Sequence, residues 1–231
     1  AHSVQGRAAT PGLALMFVGH FAVGFAAKRF APRASLGWLL AAPMFPDLIW
    51  PLFVLAGVEV VRIAPGDTDF TPLEFVSYPW SHSLLMTFAW AVLLAAIYYW
   101  RSRYWAGAGA IALGVASHWL LDFVSHRADM PLAPGVGVKF GLDLWNHVAA
   151  TVAVEVAMLV AGVALYVSVT KPATRAGSWG FWSFLALLAF LYAGAVRGAP
   201  PPNTAVLAIT ALSGWLAVGW AAWFDRNRVV R

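Results

Sequence analysis

The chain has 231 residues, 61% of them hydrophobic and 11% charged, with a mean hydropathy of +0.72. A soluble domain carries about a quarter charged residues, so the polar surface is too small to cover a water-soluble globule. The net charge of +5 comes from Lys and Arg in short clusters between apolar runs, which argues against a nucleic-acid partner, and the lack of cysteine excludes disulfides and Cys-ligated zinc.

Residues 1–11 form a polar first segment, and Met16 opens a run resembling a natural start. Apolar runs follow near residues 12–27, 36–57, 82–100, 105–124, 146–169, 179–197 and 203–224. Most approach the roughly 20 residues that cross a bilayer as a helix, and in lipid the backbone must bond within its own segment. The expected architecture is an all-α, polytopic transmembrane bundle with about seven spans, or six if the short first run does not cross. Residues 12–224 make one domain, and 225–231 form a basic cytoplasmic tail. Lys28, Arg29, Arg33, Arg101, Arg103, Lys171, Arg175, Arg226, Arg228 and Arg231 fall in alternate connections. The positive-inside rule therefore puts these connections in the cytoplasm and the first residues outside. The outer connections are longer and more acidic: 58–81 holds Glu59, Asp67, Asp69 and Glu74, and 125–145 holds Asp129 and Asp143. Trp80 and Trp145 fall near predicted span ends, where indoles favour the headgroup zone.

An ionisable group inside a span costs at least about 2.5–3.5 kcal/mol, so each one marks a candidate site. The first run carries His20. The second carries Asp47 among Pro43, Pro46 and Pro51, which are expected to kink or interrupt that helix. His82 opens the third run between two serines. The fourth ends with His118, Asp122, His126 and Asp129 at i, i+4, i+8 and i+11, a spacing that aligns them on one helical face. The fifth begins at His147 and carries Glu155. Alternating span directions put His82, His118, Asp122, His147 and Glu155 in one outer layer, with His20 and Asp47 nearer mid-depth. Imidazole and carboxylate suit zinc and similar divalent ions. Bland roles stay open for each: an interhelical hydrogen bond for His20, a cap region for His82, an ion pair for His118 with Asp122, interfacial solvent for His126 and Asp129, and structural pairing for His147 and Glu155. Asp67, Asp69 and Glu74 read as solvated loop charges.

Four segments carry a resemblance. Met16-Phe17-Val18-Gly19-His20-Phe21-Ala22, Phe45-Pro46-Asp47-Leu48, Tyr78-Pro79-Trp80-Ser81-His82-Ser83-Leu84 and Ser117-His118-Trp119-Leu120-Leu121-Asp122 resemble the membrane-bound metal-dependent hydrolase-like family of bacteria and archaea. His126-Arg127-Ala128-Asp129-Met130-Pro131 fits as well, so the resemblance runs from about residue 16 to 147. The order of ligands is distantly similar to zinc-dependent phospholipase C and its related nucleases. The resemblance implies a multi-pass protein of the bacterial cytoplasmic (inner) membrane. It implies His20, Asp47, His82, His118 and Asp122 as metal ligands, with His147, Glu155 and Asp129 as further candidates. It implies His126 as acid/base or a further ligand, Asp47 or Asp122 as a group that bridges two ions or orients the attacking water, and Arg127 as a phosphate clamp. Those soluble enzymes hold a third zinc through a His-x-x-x-Glu; here His147 is followed at i+4 by Thr151, and Glu155 comes at i+8, so one or two ions are expected. Zinc is the expected metal and manganese the alternative. The implied reaction is hydrolysis of a phosphoester in a lipid or lipid-linked phosphate at the outer leaflet, with membrane lipids as partners. A metal-ion or proton transporter and a non-catalytic scaffold with a structural metal are the rival readings. Polar groups continuing to the inner face would favour a transporter.

Overall fold

The computed structural model describes residues 18–231. The helices are α1 (Val18–Ala27), α2 (Leu36–Leu55), α3 (Pro79–His82), α4 (Leu84–Ser102), α5 (Trp105–Ser125), α6 (Val148–Val169), α7 (Arg175–Arg197), α8 (Thr204–Ala211) and α9 (Gly214–Arg226). Six stretches are long and apolar enough to cross a membrane: α2, α4, α5, α6, α7 and the α8–α9 unit taken together. The protein is thus an all-α, polytopic helical bundle and a multi-pass membrane protein. The described part of the expected first span, α1, has ten residues, and residues 12–17 lie outside the described residues.

Helix α2 is the central element, packed against α1, α5, α8 and α9. The expected interruption does not occur. α2 runs unbroken from Leu36 to Leu55 with Pro43, Pro46 and Pro51 inside it. Neighbouring helices supply donors to its backbone, as buried membrane helices require. The Pro43 carbonyl accepts from His118 Nδ1 at 2.7 Å, and the Leu48 carbonyl from Trp215 Nε1 at 3.1 Å. α1 lies against α6, where Gly162 lets the two backbones meet so closely that a Cβ would strike the Ala22 carbonyl.

Other expected boundaries move for local reasons. The third span starts at Leu84 rather than His82. Ser83 adopts an extended backbone, and its hydroxyl accepts from Met86 N at 3.3 Å, capping α4 and leaving His82 on the separate turn α3. The sixth span starts at Arg175, four residues earlier than its apolar run, because Thr174 caps it through Gly177 N. The seventh is broken at Leu212–Ser213 into α8 and α9.

The connections at one end carry β1 (Val60–Ile63) paired antiparallel with β2 (Leu73–Ser77), and β3 (Met130–Pro131) paired with β4 (Lys139–Phe140). At the other end β5 (Thr170–Pro172) pairs with β6 (Arg228–Val230). Residues 225–231 are therefore not a loose tail; they are stitched to the α6–α7 connection. This second end gathers the ten clustered Lys and Arg residues, because successive spans alternate in direction. We call it the basic end. It contains a buried network that apolar patterning did not reveal. Lys28 Nζ lies 2.7 Å from Asp225 Oδ2, which also accepts from Leu36 N at 2.8 Å, while Tyr166 OH donates to Asp225 Oδ1 at 2.8 Å. Arg228 stacks over the rings of Tyr166 and Phe181 and donates to Thr170 Oγ1 and the Gly177 carbonyl. Every charge in it has a partner, which marks a structural clasp.

Candidate metal centre

The opposite end is built from the C-terminal half of α2, α3, the end of α5, the start of α6 and the two hairpins. α5 carries His118 and Asp122 one turn apart, and their side chains meet: His118 Nε2 lies 3.0 Å from Asp122 Oδ2. The other oxygen, Oδ1, lies 3.3 Å from His20 Nε2 on α1. His82 Nε2 lies 3.3 Å from Asp47 Oδ1 and 3.9 Å from Asp122 Oδ2. The rings of His20 and His82 stand 4.3 and 5.0 Å from that of His118. Two overlapping triads result, His20/His118/Asp122 and Asp47/His82/His118, each with its donor atoms within 4.8 Å of one another. Four of these residues are buried; Asp47 alone keeps some exposure, 17% of its side chain. So the five residues expected as ligands converge.

The groups behind the histidines fix which nitrogen faces inward. His118 Nδ1 donates to the Pro43 carbonyl, which turns Nε2 toward Asp122. For His82 the relay has two steps. Ser81 Oγ lies 2.6 Å from both Glu59 Oε2 and His82 Nδ1. Glu59 accepts the hydroxyl proton, so Ser81 accepts from His82 Nδ1, and His82 Nε2 is turned toward Asp47 Oδ1. Glu59 Oε1 also accepts from the backbone N–H of Trp80 and of Ser81, both at 2.8 Å. Two imidazole Nε2 atoms thus face carboxylate oxygens at 3.0–3.3 Å, an ion pair where the ring is protonated and a cation-binding arrangement where it is neutral. Metal-bound histidines show this pattern of an outer N–H held by a carbonyl or by a chain to a carboxylate. Tetrahedral coordination with bonds of about 2.05 Å puts neighbouring donors about 3.3 Å apart, so the spacing fits a zinc-sized ion. Two carboxylates, that of Asp122 buried and that of Asp47 part-buried, gathered with three imidazoles form a donor set that suits a divalent cation. Asp122 turns one oxygen toward His20 and the other toward His118 and His82.

His126 and Asp129 are not among the grouped ligands. They form a neighbouring cluster. His126 Nδ1 lies 2.9 Å from Asp129 Oδ1, and Tyr78 OH donates to the same oxygen at 3.0 Å. Helix α5 ends at Ser125, and His126 caps it in extended conformation, which carries its ring off the face shared by His118 and Asp122. Trp145, expected at the headgroup zone, is instead buried with its ring 4.0 Å from that of His126. Tyr78 links the two clusters, its ring 5.2 Å from that of His82. Burial, and then Asp129, push the Tyr78 hydroxyl well above its ordinary pKa, so it remains a proton donor. Arg127 is part-exposed and paired with Asp67 at 3.1 Å and Asp129 at 3.3 Å. Glu155 is buried against α1, where Oε2 accepts from Val18 N at 3.1 Å. His147 is exposed at the start of α6, because the turn Leu144–Asn146 before it carries its backbone to the rim.

Sequence reasoning passed over Glu59 as one loop acid among four, and gave Tyr78 no role. A signal existed for Tyr78, which precedes His82 by four residues. None existed for Glu59, 22 residues from the serine it holds.

Comparison of the chain with protein-family models, with curated proteins and with solved structures finds no match. Composition and fold together establish a multi-pass α-helical membrane protein that gathers three histidines and two aspartates at one end of its bundle.

Proposed function

We propose that this protein is a membrane-embedded metal-dependent hydrolase, a phosphoesterase acting on a lipid or lipid-linked phosphate. The observation that carries the reading is the pair of Nε2 atoms, on His82 and His118, that face Asp47 and Asp122 at 3.3 and 3.0 Å with their Nδ1 atoms held from behind. His20, Asp47, His82, His118 and Asp122 would hold one or two divalent ions, zinc in first place and manganese as the alternative. Such an ion supplies a water of lowered pKa and polarises a phosphoryl oxygen. Asp122, whose two oxygens face His20 and His118, would help hold the ion and orient the attacking water. His126, steadied by Asp129, is placed for proton transfer to a leaving group, with Tyr78 between it and the ligands. Arg127 can turn from Asp67 to a phosphate, which its planar fork suits.

The clustered Lys and Arg support a cytoplasmic basic end, which would put the site at the outer leaflet of a bacterial inner membrane. A transporter would need polar groups running between the two ends. Between the ligands and the Lys28–Asp225 clasp lie Phe21, Phe25, Phe181 and Phe184, packed on one another and buried. That dry layer favours a one-sided site.

The test is metal analysis of purified protein, followed by phosphoesterase assays on phosphatidic acid and isoprenoid phosphates. Stoichiometric zinc or manganese and activity lost in both His118→Ala and Asp122→Ala are expected. Activity unchanged in these variants, or no bound metal, would overturn the proposal. Metal without any hydrolysis would leave the structural-metal reading.

A further inference from the structure

A cavity of about 350 Å³ opens beside the candidate metal centre, lined by α1, α2, α7, the α8–α9 unit and the Pro201–Pro202 turn. Its wall is apolar: Phe21, Met44, Leu188, Leu207 and Ala217 face it, and the carboxylate-bearing residue on it is Asp47. Asp47 is also the one grouped ligand with exposed side-chain area. The approach to the ligands through this cavity is therefore a hydrocarbon-like surface. The break at Leu212–Ser213 shapes it, since Thr210, Ala211, Ser213 and Gly214 on either side of the break all line it. Leu216 and Val206 on its wall are 76% and 39% exposed, and both sit on a membrane-crossing unit. Side chains exposed on such a unit suit a lipid surrounding, which would open the cavity sideways into the bilayer.

We infer that this cavity binds one hydrocarbon chain of a membrane lipid, entering laterally between α7 and α8–α9, and presents the attached phosphate headgroup to Asp47 and the ligands behind it. The inference rests on the hydrolase reading for the fate of the headgroup, but the chain site stands or falls separately. Within the hydrocarbon layer no water is at hand to fill an apolar recess, and its size falls in the range of ordinary ligand pockets. A methylene that moves to such a wall from the bilayer contributes far less than one that moves from water, since lipid tails are as apolar as the wall. Selectivity must then come from the headgroup, and the cavity acts as a guide. A water-soluble phosphoester makes poor use of such an entrance. The substrate class is thus an amphiphile whose chain lies close to the scissile phosphate.

The test uses the full chain in phosphatidylcholine nanodiscs with a trace of phosphatidic acid bearing a diazirine on its acyl chain. Photolabel is expected on peptides carrying Leu188, Leu207 and Ala217, above the level on the exposed lipid face at Leu113. Ala217→Phe, which fills the cavity without touching a ligand, should cut that label several-fold and leave bound metal unchanged; Leu113→Phe should do neither. Label spread evenly around the bundle overturns the inference. So does a cavity that excludes lipid and instead forms a disulfide, through Leu207→Cys in this cysteine-free chain, with the same residue of a second copy. Phosphoesterase activity with an unlabelled cavity sinks the chain site and keeps the hydrolase reading. Cavity label without metal or activity sinks the hydrolase reading and supports the chain site.

Discussion

Glu59→Gln is the sharpest probe of the candidate centre, because it alters no ligand. In the native protein Glu59 Oε1 accepts two backbone N–H groups and Oε2 accepts the Ser81 hydroxyl at 2.6 Å, within the range of a charge-assisted bond. A glutamine in the same place keeps its oxygen on the two backbone donors, so its NH2 group faces Ser81. The serine hydroxyl must then turn toward His82 Nδ1, which becomes an acceptor. The proton moves to His82 Nε2, the atom that should bind metal. Loss of an outer partner of this kind costs about 10- to 100-fold in metal affinity, or about 1.4–2.7 kcal/mol. Zinc affinity is read by competition with a chromophoric chelator in detergent, with helicity and the unfolding midpoint as controls. Ser81→Ala deletes the relay without reversing it and should lose less. A folded Glu59→Gln protein with native zinc affinity would refute both the tautomer assignment and the role given to Glu59.

Three further outcomes follow from other parts of the molecule. Asp225→Ala breaks a buried ion pair at the basic end and should cost about 3–5 kcal/mol in detergent unfolding, with zinc affinity unchanged; loss of zinc in that variant would mean the two ends are coupled. If zinc binds the folded state alone, ion at 100 times its dissociation constant adds about 2.7 kcal/mol, so chelation should lower the unfolding midpoint, and should not do so in His118→Ala. Burial pushes the Asp129 carboxyl up, but the bonds from His126 and Tyr78 outweigh it and hold the pKa below its ordinary value. A depressed folded pKa gives stability that is complete above the unfolded value of about 3.9 and is lost as pH falls through the folded one. Asp129→Asn should therefore flatten the fall of stability below about pH 4, and an unchanged acid limb measured by near-ultraviolet circular dichroism would contradict this.

The wider picture divides along the range of the interactions. His118 and Asp122 were legible because a helix brings i and i+4 together whatever surrounds it, and because a charged group in an apolar run is costly enough to need a purpose. His20, Asp47 and His82 could be placed by depth from alternating span directions, and they do reach the same centre. His147 followed the same depth argument and lies exposed at the rim, since depth fixes a layer and not a direction within it. His126 shares the i+8 spacing, but its helix ends one residue before it. The prolines of α2 read as a break, yet donors from α5 and α9 serve its backbone.

The sequence by itself determined the membrane-crossing helices, the gathering of basic residues in alternate connections and the residue types of the site. These follow from composition and short-range periodicity. Only the tertiary structure decided that Glu59 and Ser81 stand behind His82, that Asp225 clasps Lys28 across 197 positions, and that Asp47 borders an apolar cavity. Those facts depend on which faces of distant helices meet, and packing sets that, not the period of any one segment.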